Sequence, residues 1–152
     1  MPRRPALAIG LLSIVLLAGC GGSDEPAPID PSGSTASAGS AVLSGQRLTV
    51  LDQVIAYPKG KHARISSEVV ELQPGQQTGW RKQGTPTFVY VLEGSWSEEY
   101  DAGVTKEFAS GTGFMQAQGV WHNGSNKGQD VARVLVVNMG TKGVKDTVER
   151  AG

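Results

Sequence analysis

The sequence predicts an all-β domain in which short strands form a barrel or a sandwich. Runs of alternating apolar and polar residues recur between residues 47 and 139, and turn signals that contain Gly or Pro separate them. No stretch of this region shows a convincing helical period. Many short strands at such spacing are typical of β-sandwiches and β-barrels.

Seven strands are predicted in chain order, and turn segments such as Tyr57–Gly60 and Gln73–Gly75 divide them. Val134–Val137 is a continuous apolar run, which indicates a strand buried on both faces. From Gly140 onward the pattern predicts no more than a short turn or helix. The predicted strands are Arg47–Ala56, Arg64–Leu72, Thr87–Leu92, Ser95–Tyr100, Thr105–Phe108, Gly113–Ala117 and Ala132–Met139.

The N-terminal segment predicts export. Residues 1–19 contain Arg3 and Arg4 and then the apolar stretch Ala6–Ala18, which is shorter than the roughly 20 residues of a membrane span. They therefore read as a signal peptide, with an uncleaved anchor helix as the alternative. Residues 20–44 are rich in Gly, Ser, Pro and Ala and predict a flexible linker. Residues 45–152 remain as one domain with a modest core.

Cys20 is the single cysteine of the chain, so an intramolecular disulfide is excluded. It ends the run Leu17-Ala18-Gly19-Cys20, which resembles the lipobox of bacterial lipoproteins. This resemblance implies cleavage before Cys20, acylation of its thiol, and a membrane anchor that faces the periplasm or the cell exterior. Gly21 in place of an aspartate favours the outer membrane if the organism has one.

The charge balance argues against nucleic acid as a partner. The chain has 14 basic and 14 acidic residues, and removal of Arg3 and Arg4 with the signal peptide leaves 14 − 2 = 12 basic residues against 14 acidic ones. No basic run or stripe follows the linker, whereas proteins that bind nucleic acids usually carry one. We therefore do not expect nucleic acid as a partner.

Two glycine-anchored motifs lie within the domain. The first contains Gly75, Arg81, Gln83, Thr87 and Gly94, and the second contains Gly111, Gly119, His122 and Asn126. Their spacing resembles the two signature motifs of the cupins, with Ala117 where a proline is usual. The resemblance spans residues 48–139 and implies the cupin-type jelly-roll β-barrel.

The same resemblance shows where this chain departs from a typical cupin. Cupins bind a divalent metal through two His and one Glu of the first motif and one His of the second, and here Arg81, Gln83, Thr87 and His122 hold those positions. Some relatives place a further glutamate where this chain has Gln116. Arginine offers no lone pair to a metal, and a lone imidazole does not hold one tightly. We therefore expect no conventional metal site and no cofactor, with a divalent metal bound weakly at His122 as the alternative.

The substitutions favour binding over catalysis. Arg81 is a fixed cation suited to a carboxylate or phosphate, so the pocket residues Arg81, Gln83, Thr87, Gln116 and His122 predict a metal-free site for a small polar or anionic ligand. Alternatively, Arg81 reaches the barrel mouth or pairs with Glu93 or Glu98. The sequence leans away from an enzyme without excluding one.

Other functions stay open. A cupin enzyme could use a divergent metal site, or it could be a metal-free epimerase or isomerase with His122 as base and Tyr90 or another hydroxyl as acid. For His122 itself, a satisfied pocket histidine is favoured over an acid–base role. An interaction module is the third class, since cupins often form homodimers by edge-strand contact.

Two clusters and one histidine favour a structural role over a functional one. Alternation places Trp80 and Trp121 away from Arg81 and His122, which predicts that both indoles pack in the core. The cluster of Glu98, Glu99 and Asp101 predicts an exposed hairpin end. His62, next to a Pro-Lys-Gly-Lys turn, predicts a solvated side chain.

Overall fold

A computed structural model describes residues 39–59 and 62–151, and these residues contain nine strands and no helix. The predicted signal peptide, Cys20 and most of the predicted linker lie outside the described residues. No helix within the described part is long and apolar enough to cross a membrane. The strands are β1 (Ala63–Leu72), β2 (Gln77–Gln83), β3 (Thr87–Glu93), β4 (Ser95–Tyr100), β5 (Thr105–Ala109), β6 (Gly113–Met115), β7 (His122–Ser125), β8 (Ala132–Thr141) and β9 (Thr147–Glu149).

The strands form two antiparallel sheets. The first sheet has the order β1-β8-β3-β6 and the second has the order β5-β4-β7-β2-β9. Neighbouring strands are mostly distant in sequence, so the chain crosses repeatedly between the sheets, as in a jelly roll. The predicted all-β jelly-roll barrel is confirmed.

An apolar core fills part of the space between the sheets. Along β3 the buried side chains Val89 and Val91 alternate with the partly exposed Phe88 and Tyr90, as the period of two requires. The core cluster consists of Leu72, Val89, Val91, Trp96, Phe114, Ala132 and Val134. At its margin the ring of Phe108 stacks on Phe114, with centroids 3.6 Å apart.

The polar part of the interior explains which strands the sequence did not reveal. Strands β2, β7 and β9 were missed because their inward side chains are polar and give no apolar alternation. In β2 a register irregularity between Gln77 and Trp80, with Gly79 at φ +80°, disturbs the period further. The strands predicted from apolar alternation between residues 64 and 139 are present.

The predicted strand Arg47–Ala56 is wrong. This segment forms a small hairpin with a single bridge between Leu48 and Val54, and Asp52 reverses the chain at φ +59°. The tail after Gly140 also differs from the predicted short turn or helix, because β8 continues to Thr141 and β9 joins the second sheet.

Gly94 shows why a glycine is needed at one turn of the barrel. It links β3 to β4 with φ +70°, a conformation that side-chain-bearing residues rarely adopt. A Cβ atom there would also lie 2.5 Å from the carbonyl oxygen of Val131. The turn that brings β4 across to the second sheet therefore requires Gly94.

Candidate functional site

Four of the five predicted pocket residues line one cavity between the sheets. They are Arg81 and Gln83 on β2, Gln116 after β6, and His122 on β7. The cavity volume is about 20 Å³, which is room for about one water molecule. The fifth residue, Thr87, does not line this cavity, and its hydroxyl lies 2.8 Å from Oδ1 of Asn138.

A chain of hydrogen bonds between side chains runs across this interior. The hydroxyl of Thr147 donates to Oε1 of Gln83 over 2.9 Å, and Nε2 of Gln83 donates to Oε1 of Gln116, also over 2.9 Å. Nε2 of Gln116 then donates to Oε1 of Glu98. Each amide is both donor and acceptor, so the two glutamines are held in one orientation.

Glu98 is where this chain of hydrogen bonds ends. Its side chain is completely buried, and its carboxylate also accepts hydrogen bonds from the indole N–H of Trp96, at 3.1 Å, and from the hydroxyl of Tyr100. Several donors and no competing acceptor are what an ionised carboxylate, which can only accept, requires. The prediction that Glu98 lies at an exposed hairpin end is therefore wrong.

The signal for this burial was present in the sequence. Trp96, Glu98 and Tyr100 occupy every second position of β4, so Glu98 shares one face of the strand with two aromatic residues. An acid that alternates with buried aromatics is expected to be buried with them. The alternation identifies Glu98 as an interior acid once β4 is given an inward face.

Tyr100 keeps its proton in this setting. Its burial, together with the charge and the hydrogen bond of Glu98, raises the pKa of Tyr100 far above the usual value for tyrosine. The ring centroids of Tyr100 and His122 are 5.8 Å apart. Tyr90 has no such position, since it lies on the opposite face of β3 from Val89 and Val91. The phenol that lies near His122 is therefore that of Tyr100.

Two polar atoms at the cavity have no partner. Nδ1 of His122 lies 3.1 Å from the carbonyl oxygen of Val120, so this nitrogen carries the hydrogen, while the buried Nε2 is unpaired. On the paired strand, Nη2 of Arg81 donates to the carbonyl of Thr78 over 2.5 Å, and its buried Nε is also unpaired. Arg81 and His122 are direct cross-strand partners. A buried polar atom without a partner is costly, so both atoms call for a ligand or a water molecule.

Arg81 does not pair with either of the acids considered as alternatives. Glu93 instead forms an ion pair with Arg133 at 3.2 Å. The carboxylate of Glu98 is occupied by the three donors described above. The cation at the cavity is thus balanced by no carboxylate within 4 Å among the described residues.

The donor set does not fit a tightly bound transition metal. Among the described residues no three His, Cys, Asp or Glu side chains cluster in a way that could hold a metal ion. At the cavity itself, Arg81 brings a positive charge, and the amides of Gln83 and Gln116 are already committed to hydrogen bonds. One imidazole remains, which is too few ligands for zinc, iron or manganese.

Trp80 and Trp121 lie on the outer side of the second sheet. They do face away from Arg81 and His122, but the prediction that they pack in the core is wrong, because both are partly exposed. The guanidinium of Arg150 lies 4.9 Å from the ring centroid of Trp80 and 4.6 Å from that of Trp121. These contacts are cation–π interactions at the surface.

The two sheets and their interior cavity define a jelly roll of the cupin type. Residues 68–138 match the family described as a cupin domain. The matched range includes Arg81, Gln83, Gln116 and His122, four residues that line the cavity. No curated protein sequence matches the chain significantly.

Solved structures with a similar fold are distant in sequence. A cupin domain from Bordetella pertussis has 21% identity over 55% of this chain and 88% of its own, with a TM-score of 0.47. Oxalate decarboxylase from Lactobacillus farciminis has 20% identity and a TM-score of 0.48 over 56% of this chain. The matched region is 26% of that enzyme. A DMSP lyase from Ruegeria pomeroyi has 14% identity over 56% of this chain and 42% of its own, with a TM-score of 0.49.

Proposed function

We propose that this protein is a lipid-anchored, extracytoplasmic cupin that binds a small polar or anionic ligand in the barrel interior without a tightly held metal. The observation that carries the binding proposal is the pair of unpaired buried atoms, Nε of Arg81 and Nε2 of His122, at one cavity. With Nδ1 protonated, neutral His122 can accept a hydrogen bond there while Arg81 donates one.

These two atoms restrict the chemistry of the ligand. An oxygen that accepts from Arg81 and donates to His122 belongs to a hydroxyl or to a protonated acid, whereas a carboxylate or phosphate oxygen would pair with Arg81 and with protonated His122. The volume of about 20 Å³ admits a single such oxygen and not a whole metabolite. The ligand therefore presents a terminal oxygen to the cavity.

Calorimetry tests this binding proposal. The full chain with Cys20→Ser is titrated with formate, acetate and inorganic phosphate, and we expect saturable binding of at least one. Arg81→Ala should weaken that binding about tenfold or more, as for a charge-assisted hydrogen bond. Arg133→Ala is the matched control, since Arg133 is an ion-paired, partly exposed arginine that does not line the cavity. Binding of none of the three anions, or equal binding by both variants, would refute the proposal.

Lipid anchoring rests on separate evidence, the lipobox-like run that ends at Cys20. Mass spectrometry of protein from the membrane fraction should find acylated Cys20 as the first residue. Cys20→Ser should leave the membrane fraction and carry no acyl chain. An unmodified Cys20 in membrane-associated protein would contradict lipid anchoring without affecting the binding proposal.

A further inference from the structure

A second concave site lies outside the barrel. A groove of about 600 Å³ runs between the segment of residues 43–57 and the outer face of the first sheet. This volume is in the range of small-molecule sites, about 300–1,000 Å³. The lining is mainly apolar and includes Val54, Ile55 and Tyr57 from the segment and Phe88, Val137 and Met139 from the sheet.

Hydrogen bonds hold the wall of the groove in place. The backbone N–H of Val50 donates to the carbonyl of Met115 over 2.8 Å, which fixes the hairpin of residues 47–55 to β6. Nε2 of Gln53 donates to the carbonyl of Gln118 over 3.1 Å, and the N–H of Gln118 donates back to Oε1 of Gln53 over 3.0 Å. The groove is therefore preformed, as small-molecule sites usually are.

Several large apolar side chains at and beside the groove are exposed to water. Val54 is 75% exposed and Tyr57 is 60% exposed. Ile65, the cross-strand partner of Met139, is 72% exposed and extends this surface along β1. Contiguous exposed apolar surface on a soluble domain marks a site of interaction.

One cation stands at this apolar groove. Arg47 is exposed and lines the groove, and among the described residues it forms no ion pair. A ligand that satisfies both features needs an extended apolar body and an anionic head group. The complementarity of charge selects the head group, and the apolar lining selects an alkyl chain.

We propose that this groove binds a free linear monocarboxylate of the fatty-acid type, with its alkyl chain along Val54, Phe88 and Val137 and its carboxylate at Arg47. The site is separate from the barrel cavity and does not depend on the function proposed for that cavity. Its ligand also differs, because the cavity admits a single polar oxygen whereas the groove accommodates a chain.

The experiment compares three probes below their critical micelle concentrations: decanoate, hexanoate and decanol. Calorimetry of the full chain with Cys20→Ser should show saturable 1:1 binding of decanoate. Hexanoate should bind more weakly, by about two- to fourfold for each methylene removed, because each buried methylene contributes to affinity. Decanol should bind about threefold more weakly than decanoate, the contribution of an exposed ion pair.

Matched variants locate the binding. Val54→Asp should weaken decanoate binding at least about tenfold, since a charge would lie against the alkyl chain, whereas Val104→Asp, at another exposed valine, should not. Arg47→Ala should remove the preference for decanoate over decanol, and Lys106→Ala should keep it. No saturable decanoate binding, or equal effects of the two Asp variants, would overturn the proposal. A dimer that Val54→Asp dissociates would overturn it too, since a second copy would then cover the groove.

Discussion

Nε2 of Gln83 donates a hydrogen bond to Oε1 of Gln116 over 2.9 Å inside the barrel. Each of these amides has a second partner, Thr147 for Gln83 and Glu98 for Gln116. These buried polar groups therefore satisfy one another's hydrogen-bonding capacity. Among the polar residues at the cavity, Gln83 and Gln116 belong to a hydrogen-bond network. Arg81 and His122 instead carry buried atoms without a hydrogen-bond partner.

The coupling between the two glutamines can be measured. Gln83→Leu and Gln116→Leu should each lower the free energy of unfolding by about 1–3 kcal/mol, because each leaves buried polar partners unsatisfied. The double variant should cost less than the sum, with a coupling of about 0.5–3 kcal/mol. Urea unfolding provides the measurement. Gln129→Leu, at an exposed glutamine, should change stability little, and additive single effects would contradict the hydrogen-bonded pair.

The sequence predicted the parts of the fold that depend on apolar alternation. Strands β3 and β8 alternate in this way or are continuously apolar, and their bounds were predicted within two residues. Strand β7 reads His-Asn-Gly-Ser, and all four of its residues are buried although none is a large apolar one. The side chain of His122 points into the polar cavity. Periodicity of apolar residues cannot reveal such a strand, and motif spacing singled out His122 without predicting a strand there.

The candidate site was predicted in part for the same reason. Motif spacing placed Arg81, Gln83 and His122 at one cavity, since each position is fixed by the strand register. The role of Glu98 depends on which face of β4 points inward. The presence of a charged residue on that face argued against its being the inward one. A charged residue is normally assigned to the solvent-exposed surface. The partners that compensate Glu98 include Gln116, which lies 18 positions away in the sequence, so the sequence alone does not pair them.

Tyr100 predicts how stability changes with alkaline pH. Its pKa is raised in the folded state by burial and by Glu98, whereas in the unfolded chain it ionises near pH 10. The unfolded state thus loses this proton first, so the free energy of unfolding is unaffected by Tyr100 below about pH 10 and falls as the pH rises above it.

The measurement is a spectroscopic titration of phenolate. The chain has three tyrosines, and the Tyr100 phenolate should appear in the native protein only when the barrel unfolds. Tyr100→Phe should therefore show the same native phenolate absorbance as the unchanged protein and one phenolate fewer after unfolding. A lower native amplitude in Tyr100→Phe below the unfolding transition would show that Tyr100 ionises in the folded state.

Introducing metal-ligating side chains at the cavity should create a metal site. Arg81, Gln83, Gln116 and His122 line the same cavity, so Arg81→His, Gln83→His and Gln116→Glu together place three imidazoles and a carboxylate around it. Such a set suits zinc or cobalt. The triple variant should bind Co²⁺ with visible absorbance bands and be stabilised by Zn²⁺ against urea. The same variant with His122→Ala is the control, and equal Co²⁺ spectra for both would contradict convergence of the four positions.

Arg150 fastens the last strand to the outside of the barrel. Its guanidinium lies against the indoles of Trp80 and Trp121 and forms an ion pair with Asp101 at 3.2 Å. Because Thr147 on β9 holds Gln83, this surface contact also supports the interior network. We expect Arg150→Ala to lower the free energy of unfolding by about 1–2 kcal/mol, from two exposed cation–π contacts and a weak surface ion pair.

Arg133→Ala separates the aromatic contribution from the ionic one. The side chain of Arg133 is also 40% exposed and also pairs with acids, Glu71 and Glu93, but it contacts no aromatic ring among the described cation–π pairs. Its loss should cost less than about 1 kcal/mol. Arg150→Ala should further shift tryptophan emission and speed amide exchange in residues 147–149, because the contacts that Arg150 makes next to β9 are lost. Equal urea midpoints for the two variants, with unchanged exchange in β9, would show that the indoles do not hold the strand.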